Sequence, residues 1–535
     1  SWAGTTAGTP AVAGTRNSGG VLISARGAVT NSDLSVSGSV ANATAVGNSS
    51  SNSLDLTKGT TVTANGIPTA SSSVSANSSL SSAADYNVSN AQLQIGSATA
   101  TAIGSYGIDD GFVPNTGTLA ITGSTLKVDG NQQQATAQGN TGSNRLTLEA
   151  NTLTGVSATT NNLSGAINSL QNSSAAVAAT SNAEYFAPAV STNSQLSISG
   201  NRNVALGNSN AVVNTLSATG NSVAPTNATS TDALLALTSG TSATGAWVLT
   251  NVQGSAGSTL GSTALSQIYN EDRGATSSTG LMRSTLNIDG NVNLSEATVN
   301  RATNTFTVLA NQTGTTAGLA NSQTSSTAVT STANSLVGVT LAGSVTDAVI
   351  NAGTVTLDNN ITSALAKGNS ATNVLNYGAT AGYTNLGTTG TSTQNSVSNV
   401  QNASAVAALG NSQVNSGNVV ASANNTTYAV ALNSLGGGSV LGGNVSVANN
   451  YVAATGYGNE AINQLSLSAL NSGTPTAALA NYQRNSGAVT VTASNVTFNV
   501  LATGGALTGS TVRTMGNQIT ATATGNSAVS SILAR

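Results

Sequence analysis

The sequence has 535 residues and a formal net charge of −3, and 5% of its residues are charged and 3% aromatic. Because an ordinary globular chain is about 25% charged, this composition argues against a series of globular domains with thick apolar cores. The chain is mildly acidic and poor in Lys and Arg, with 13 of them against 16 Asp and Glu, which argues against nucleic acid as a partner because that binding depends on neutralising phosphates.

The sequence contains neither His nor Cys. This excludes Ser-His-Asp and Cys-His catalysis, disulfide bonds, and metal sites built from thiolate or imidazole. The 16 carboxylates are spread along the chain, and we expect neither an enzyme nor a cofactor. The sequence has no apolar run of about 18 residues, so it predicts no membrane span.

Residues 1–30 form a predicted N-terminal arm that precedes the repeats. Because the chain begins at Ser1-Trp2-Ala3 without Met, we expect it to be processed from a longer precursor, for example by loss of a signal peptide. The arm contains the apolar run Val21-Leu22-Ile23, a candidate for a strand that adds to a neighbouring copy. Residues 31–535 are predicted to form one continuous, repetitive β-solenoid.

Seven copies of a motif of the form Leu-x-Val-x-Gly-Asn recur along the chain. Apolar residues stand three and five positions before the last residue of the motif, as Leu126 and Val128 do before Asn131. Alternation with a period of two predicts a strand with one buried face. The last residues of the seven motifs, which we call the anchors, are Ser39, Asn131, Asn201, Asn291, Asn360, Asn450 and Asn517.

Two further columns of asparagine follow the anchors at fixed distances. Small residues two apart, such as Ala135 and Ala137, precede the first column, and an apolar residue such as Leu146 follows the second. The first column, nine residues after the anchor, contains Asn48, Asn140, Asn210, Asn300, Asn369, Asn459 and Asn526. The second column, thirteen residues after the anchor, contains Asn52, Asn144, Asn214, Asn304, Asn373 and Asn463, with Ser530 in the seventh copy.

The parity of the inward-facing residues changes twice in each copy, at Gly130-Asn131 and at Gly139-Asn140 in the second. Gly and Asn adopt left-handed backbone conformations at low cost, so we predict a corner at both doublets. The anchor and column asparagines are candidate corner or ladder residues, because stacked amides add hydrogen bonds along a stack. The alternative is that they only mark turns.

Successive anchors are separated by 92, 70, 90, 69, 90 and 67 residues, so long and short modules alternate. The pattern predicts an all-β, elongated β-solenoid of stacked coils with a repeat module of about 70–90 residues. A single coil of that length is expected to be too wide, so we predict three or four coils per module. At ~4.8 Å per coil, about 20–25 coils would form a rod about 100 Å long. Amide ladders would then need further asparagines in the intervening coils, such as Asn162, Asn168 and Asn172.

A second marker falls once in each module and contains glutamine. Several of these residues stand a few positions before an Ala-Val pair, as Gln171 does before Ala176-Val177. The marker residues are Gln94, Gln171, Gln253, Gln323, Gln401 and Gln483.

Two acidic clusters are the remaining candidates for chemistry. Asp109-Asp110 is a weak candidate for a Ca²⁺ site, and Glu271-Asp272-Arg273 is the next densest cluster. Neither belongs to an Asp-x-Asp-x-Asn-Gly loop or to a Gly-Gly-x-Gly-x-Asp array. The simpler interpretation of both is charge on a solvated loop.

The strand pairs cornered by Gly and Asn, with Ala and Gln at fixed offsets, resemble the repeats of curlin-type fibre subunits and other bacterial β-solenoid surface proteins. The segments that carry the resemblance are Gly130-Asn131-Gln132 to Gly139-Asn140, and Gln401-Asn402-Ala403. The module is longer than a curlin repeat, and the curlin spacing of Gln and Asn is not reproduced. The resemblance implies secreted, self-associating material for adhesion or biofilm.

We therefore expect a secreted structural protein that forms extracellular fibres or biofilm matrix, or mediates surface attachment, by head-to-tail self-association. The alternative is a monomeric, rod-like adhesin or stalk that presents a binding site, with a polysaccharide or an abiotic surface as candidate partner. A β-helical polysaccharide lyase or hydrolase would need a groove lined by carboxylates and aromatic rings, for which the chain is poor. Ice binding would need a regular Thr array, and the Thr-x-Thr steps fall at irregular intervals.

Overall fold

The computed structural model describes residues 20–25, 28–64, 69–75, 78–109, 121–155, 163–188, 191–223, 241–271, 280–341, 348–383, 390–396, 399–432, 439–469, 475–502 and 505–534. Within these ranges the chain is an all-β, elongated solenoid, and they contain no helix. Each full coil contributes in chain order to five sheets, and we call its strands a to e; in the last two full coils strand e is divided into two segments. Equivalent strands of successive coils pair in parallel and form sheets a to e.

Sheets a and b contain short strands. Sheet a comprises β2 (Val29–Thr30), β9 (Ile121–Thr122), β14 (Ser191–Thr192), β20 (Leu281–Met282), β25 (Ile350–Asn351), β33 (Val440–Leu441) and β39 (Leu507–Thr508). Sheet b comprises β3 (Asp33–Ser37), β10 (Thr125–Asp129), β15 (Gln195–Ser199), β21 (Thr285–Asp289), β26 (Thr354–Asp358), β34 (Asn444–Ala448) and β40 (Thr511–Met515).

Sheet c contains the longest strands and forms one wall of the solenoid. It comprises β4 (Val40–Ala64), β11 (Gln132–Gly155), β16 (Arg202–Val223), β22 (Val292–Thr313), β27 (Ile361–Tyr383), β35 (Tyr451–Ala469) and β41 (Gln518–Ala534).

Sheets d and e form the opposite wall. Sheet d comprises β7 (Tyr86–Gln94), β12 (Gly165–Ser173), β18 (Trp247–Ser255), β23 (Ala317–Ser325), β30 (Ala407–Asn415) and β36 (Ala477–Asn485). Sheet e comprises β1 (Gly20–Ser24), β8 (Ala98–Asp109), β13 (Val177–Pro188), β19 (Thr259–Glu271), β24 (Ala328–Leu341), β31 (Val419–Ser422), β32 (Thr427–Leu432), β37 (Val489–Thr492) and β38 (Thr497–Ala502).

The pairing register shows that one module is one coil. Asn140 of β11 pairs with Asn48 of β4 on one side and with Asn210 of β16 on the other. The prediction of three or four coils per module is therefore wrong, and no coils lie between signature copies. Seven levels at ~4.8 Å give a stack about 30 Å high rather than 100 Å.

A coil of this length is possible because it is flattened into two layers. Strand β11 is 24 residues long, and the chain returns opposite it through β12 and β13, both of which contact β11. Two packed β layers lie about 10 Å apart whatever their width, so a wide coil needs no thicker core. Coil width is therefore not limited by the thickness of the core, and the expectation that a coil of about 70–90 residues is too wide is wrong.

Two apolar clusters fill the space between the layers. The first joins sheets a, b and e to the first half of strand c, with Leu126, Ala135 and Val177 among its residues. The second joins strand d to the second half of strand c, with Leu146 and Trp247 among its residues. Along strand c, the column asparagines follow the residues of the first cluster and precede those of the second.

The chain turns sharply at each anchor. Gly130, before Asn131, has φ of 62°, a left-handed conformation that glycine adopts without a Cβ clash. The residues that precede the seven anchors all have positive φ: Gly38, Gly130, Gly200, Gly290, Asn359, Asn449 and Gly516.

The second doublet is not a corner, so that prediction is wrong. Gly139 and Asn140 lie inside β11, and both are buried. The pairing passes from Gln138 directly to Asn140, which leaves Gly139 out of the ladder. The strand changes its inward parity at this break without turning, which explains the parity pattern in the sequence.

The long modules differ from the short ones by insertions between strands c and d. The insertions include β5 (Thr69–Ser75), β6 (Ser78–Ala83), β17 (Thr241–Thr244), β28 (Gly390–Ser396) and β29 (Asn399–Ala405). β5 pairs with β6, and β28 pairs with both β17 and β29, all antiparallel. These strands contact sheet d, and Ala243 of β17 packs with Val248 and Ala320 on it.

Candidate self-association interface

The anchor asparagines form a column of buried side-chain hydrogen bonds. Asn201 Nδ2 donates to Asn291 Oδ1 at 3.0 Å in the next coil and to the Val128 carbonyl oxygen at 2.8 Å in the previous one. Its Oδ1 accepts from the backbone N of Asn131 at 3.1 Å and from Asn131 Nδ2 at 2.9 Å. Each internal anchor asparagine thus connects three levels. The column runs from Ser39 through Asn131, Asn201, Asn291, Asn360 and Asn450 to Asn517.

The first asparagine column connects the two walls. Asn140 Nδ2 donates to Asn210 Oδ1 at 2.7 Å and to the Asn172 carbonyl oxygen at 2.9 Å, near the end of strand d. The break in strand c therefore faces the junction between strands d and e. The column contains Asn48, Asn140, Asn210, Asn300, Asn369, Asn459 and Asn526.

The second asparagine column faces amides of strand d. Asn304 Nδ2 donates to Asn373 Oδ1 at 2.8 Å and to Asn321 Oδ1 at 3.2 Å across the interior. The column ends where Asn463 Nδ2 donates to Ser530 Oγ at 3.2 Å. Its members are Asn52, Asn144, Asn214, Asn304, Asn373, Asn463 and Ser530.

A glutamine ladder on strand d runs in the opposite sense. Gln253 Nε2 donates to Gln171 Oε1 at 2.8 Å in the previous coil and to the Arg301 carbonyl oxygen at 2.9 Å on strand c. The ladder contains Gln92, Gln171, Gln253, Gln323, Gln413 and Gln483.

The glutamine marker from the sequence is therefore wrong at two positions. Gln94 lies two residues after the ladder member Gln92, and its Oε1 accepts from Ser173 Oγ at 2.6 Å. Gln401 belongs to the insertion strand β29, and Gln413 occupies the ladder position in its coil. The signal that identifies the ladder is Asn-x-Gln in strand d, which starts at Asn90, Asn251, Asn321, Asn411 and Asn481.

These ladders give every coil two different faces. Each asparagine column donates its amide N–H toward the next coil and accepts from the previous one, and the glutamine ladder does the reverse. A net hydrogen bond stabilises by about 1 kcal/mol, whereas a buried polar group left unpaired costs about 1–3 kcal/mol. A coil therefore stacks well only when the face with asparagine donors and glutamine acceptors meets, in register, the face of another coil that carries the reverse.

The two ends of the stack present these faces. Among the described strands, β4 and β41 each pair on one edge only, with β11 and β35 respectively. Ile532 of β41 is 50% exposed, while its equivalents Leu465 and Leu375 inside the stack are fully buried. An unpaired edge with open backbone groups is a template for another strand.

The N-terminal arm lies only partly within the described residues. Residues 1–19 are outside them, and Gly20–Ser24 forms β1, which pairs in parallel with β8 of the same chain. Within the described ranges, sheet d has six strands and sheets a, b and c have seven. If two copies were stacked end to end, sheet d would lack one strand between β36 of one copy and β7 of the other. Insertion of the arm into a neighbouring copy stays a prediction.

Only part of each acidic cluster lies within the described residues. Asp109 ends β8, whereas Asp110 and Asp272-Arg273 lie outside the described residues. No group of three or more His, Cys, Asp or Glu side chains suited to a metal ion occurs within the ranges given above. The same ranges hold no helix with the length and hydropathy needed to cross a membrane.

One carboxylate lies at the start of strand d. Asp85 Oδ2 accepts from the backbone N of Ser164 at 2.8 Å and from its Oγ at 3.0 Å. Desolvation by burial raises the pKa of Asp85, and the hydrogen bonds from Ser164 only partly oppose this shift. Because the pKa is higher in the folded chain, Asp85 favours folding below the unfolded pKa, and that contribution is lost as pH rises.

Asp85→Asn is therefore expected to reduce the loss of stability between about pH 3.5 and pH 7, because the amide stays neutral and still offers an oxygen to Ser164. The measurement is the melting temperature at both pH values, with exposed Asp33→Asn as the control. An unchanged pH dependence in Asp85→Asn would show that burial does not govern this group.

The comparisons with known proteins find no family model, no curated protein and no solved structure that matches this chain.

Proposed function

We propose that this chain is a structural subunit that associates head to tail through its stacking faces and builds extracellular fibres or matrix. The observation that carries the proposal is the polarity of the amide ladders, which gives each coil one face with asparagine donors and glutamine acceptors and a second face with the reverse. A coil of a second copy offers the same groups as a coil of the same chain. The stacking that holds one chain together is thus suited to joining copies.

The composition supports a structural role over catalysis. Carboxylates are sparse, His and Cys are absent, and the interior is filled by amides, hydroxyls and small apolar side chains. Secretion and a place at the cell surface or in a biofilm belong to the same proposal, and they are supported by the resemblance to curlin-type and other bacterial surface repeats. Attachment to a polysaccharide or an abiotic surface would follow from fibre formation.

Association can be measured on the purified 535-residue chain by light scattering and negative-stain electron microscopy. We expect the mass to rise with concentration and filaments of one uniform width to appear. Edge-to-edge pairing through backbone and amide hydrogen bonds should resist salt, because few charges are involved. Single particles of one chain at every concentration would reject the proposal and favour the monomeric adhesin or stalk.

A further inference from the structure

We propose that two copies join in one polar register, with β4 of one copy stacked on β41 of the other and Ser39 placed above Asn517. This inference rests on the proposed head-to-tail association and specifies its joint. In this register the contact between copies repeats the contact between successive coils of one chain.

The insertions of the long coils are compatible with this order. β17 and β28, which belong to two long coils, both contact β23 of the short coil between them. Likewise β29 of a long coil contacts β36 of the short coil that follows it. An insertion thus covers strand d of its short neighbour, so two long coils cannot be adjacent without competing for the same surface.

β41 follows Asn517, where the last short module ends, and no insertion is described beside it. Stacking β4 of one copy on β41 of another therefore brings no two insertions together. A joint between two first coils would bring long modules together, and its edges would run antiparallel.

The amide groups at the two ends are complementary in the same register. Asn459 Nδ2 donates to Asn526 Oδ1 at 2.7 Å, so the Nδ2 of Asn526 is directed to the next level. At the other end Asn48 Nδ2 donates to Asn140 Oδ1 at 2.8 Å, which directs the Asn48 Oδ1 to the preceding level. The joint thus sets the Asn526 amide N–H against the Asn48 oxygen of the next copy. In a joint between two identical ends, both copies would present the same group from this column, either two donors or two oxygens.

The second column continues through Ser530. Its Oγ accepts from Asn463 Nδ2, and a hydroxyl that accepts one hydrogen bond can donate another. In the proposed register it faces Asn52 Oδ1 of the next copy, while Ile532 is covered by Leu54. On the outer face Arg513 lies beside Ser35 and diagonal to Asp33, so opposite charges approach across the joint. The ends of the described stack therefore match in hydrogen bonding, apolar contact and charge.

Engineered disulfides can test the register, because the natural chain has no cysteine. Ser49 and Ser527 occupy the same position relative to their anchors, so Ser49→Cys with Ser527→Cys places the two thiols on adjacent strands ~4.8 Å apart at the joint. Within one chain the two positions lie about 30 Å apart, beyond the reach of a disulfide. The matched control is Ser49→Cys with Ser531→Cys, which shifts the register by four residues, or about 13 Å.

After mild oxidation of each variant at a filament-forming concentration, the matched pair is expected to give covalent oligomers on a non-reducing gel and the shifted pair monomers. If filaments form but the matched pair stays monomeric, or the shifted pair cross-links equally well, the register is wrong while head-to-tail assembly stands. If neither the unmodified chain nor any variant associates, the proposed function fails together with the joint.

Discussion

Asn373→Asp is expected to lower the free energy of unfolding at pH 7 by about 4 kcal/mol, as when one partner is removed from a buried polar pair. Asn373 is fully buried, and its Nδ2 donates to Asn463 Oδ1 at 2.8 Å and to Asn411 Oδ1 at 3.1 Å. An aspartate cannot make either donation, so its charge would face two amide oxygens in a water-excluded band. Denaturant unfolding followed by circular dichroism measures the change.

The effect of this substitution should depend on pH. Burial disfavours the carboxylate, so its pKa is raised in the folded chain above the unfolded value of about 4. The folded variant is then most stable at acid pH, where the side chain is neutral, and loses stability as pH rises through the raised pKa. A variant with the same stability at pH 3.5 and at pH 7 would contradict burial of this ladder.

A matched control lies three residues away on the same strand. Asn376 of β27 is only half-buried and points to the outer face. Asn376→Asp introduces the same charge without entering the ladder, so its cost is expected to stay within about 0.5 kcal/mol, as for other surface substitutions. Similar losses in both variants would indicate a general effect of charge on the sheet rather than the loss of two donors.

The sequence predicts the columns of this interior but not the size of the coil. Asn131 shares its parity with Ala135 and Ala137, and Asn140 and Asn144 share theirs with Leu146, so a period of two places each asparagine inside on its own side of the parity change. What the spacing does not give is which strand pairs with which, since a module of 70 residues can be one wide coil or several narrow ones. The register between Asn140 and Asn210 resolves this in favour of one coil.

The error at Gly139-Asn140 has a related cause. A change of parity can arise from a turn or from one residue left out of a ladder, and the sequence signal is the same for both. Strand c leaves one residue out of the ladder and does not turn. The junction of strands d and e lies opposite this break, and the Asn172 carbonyl oxygen there accepts a hydrogen bond from the Asn140 amide. Distinguishing the two cases requires knowing which strands form the opposite wall, and the local sequence pattern does not identify them. The glutamine marker is wrong at Gln94 and Gln401 for the same reason, because the register of the ladder is set by strand d.

Proline at the open edge of β41 is expected to abolish filaments while leaving the solenoid folded. The backbone N of Gln518 donates to the Asn450 carbonyl oxygen at 2.9 Å in the previous coil. Backbone groups alternate sides along a strand, so the N–H groups of Ala521 and Ala523 are directed away from β35, toward the next level. Ala521→Pro with Ala523→Pro therefore removes two donors from the joint and none from the pairing inside the chain.

The same substitution inside the stack provides the control. Ala364 occupies the position equivalent to Ala521, in β27, where its N–H faces β35. Ala364→Pro is expected to cost about 3 kcal/mol or more because it breaks an internal ladder. Melting curves should thus separate the two variants, and electron microscopy should show single solenoids for the edge variant at concentrations where the natural chain forms filaments. Filaments that persist with both prolines in place would show that β41 is not part of the joint, whatever else holds the copies together.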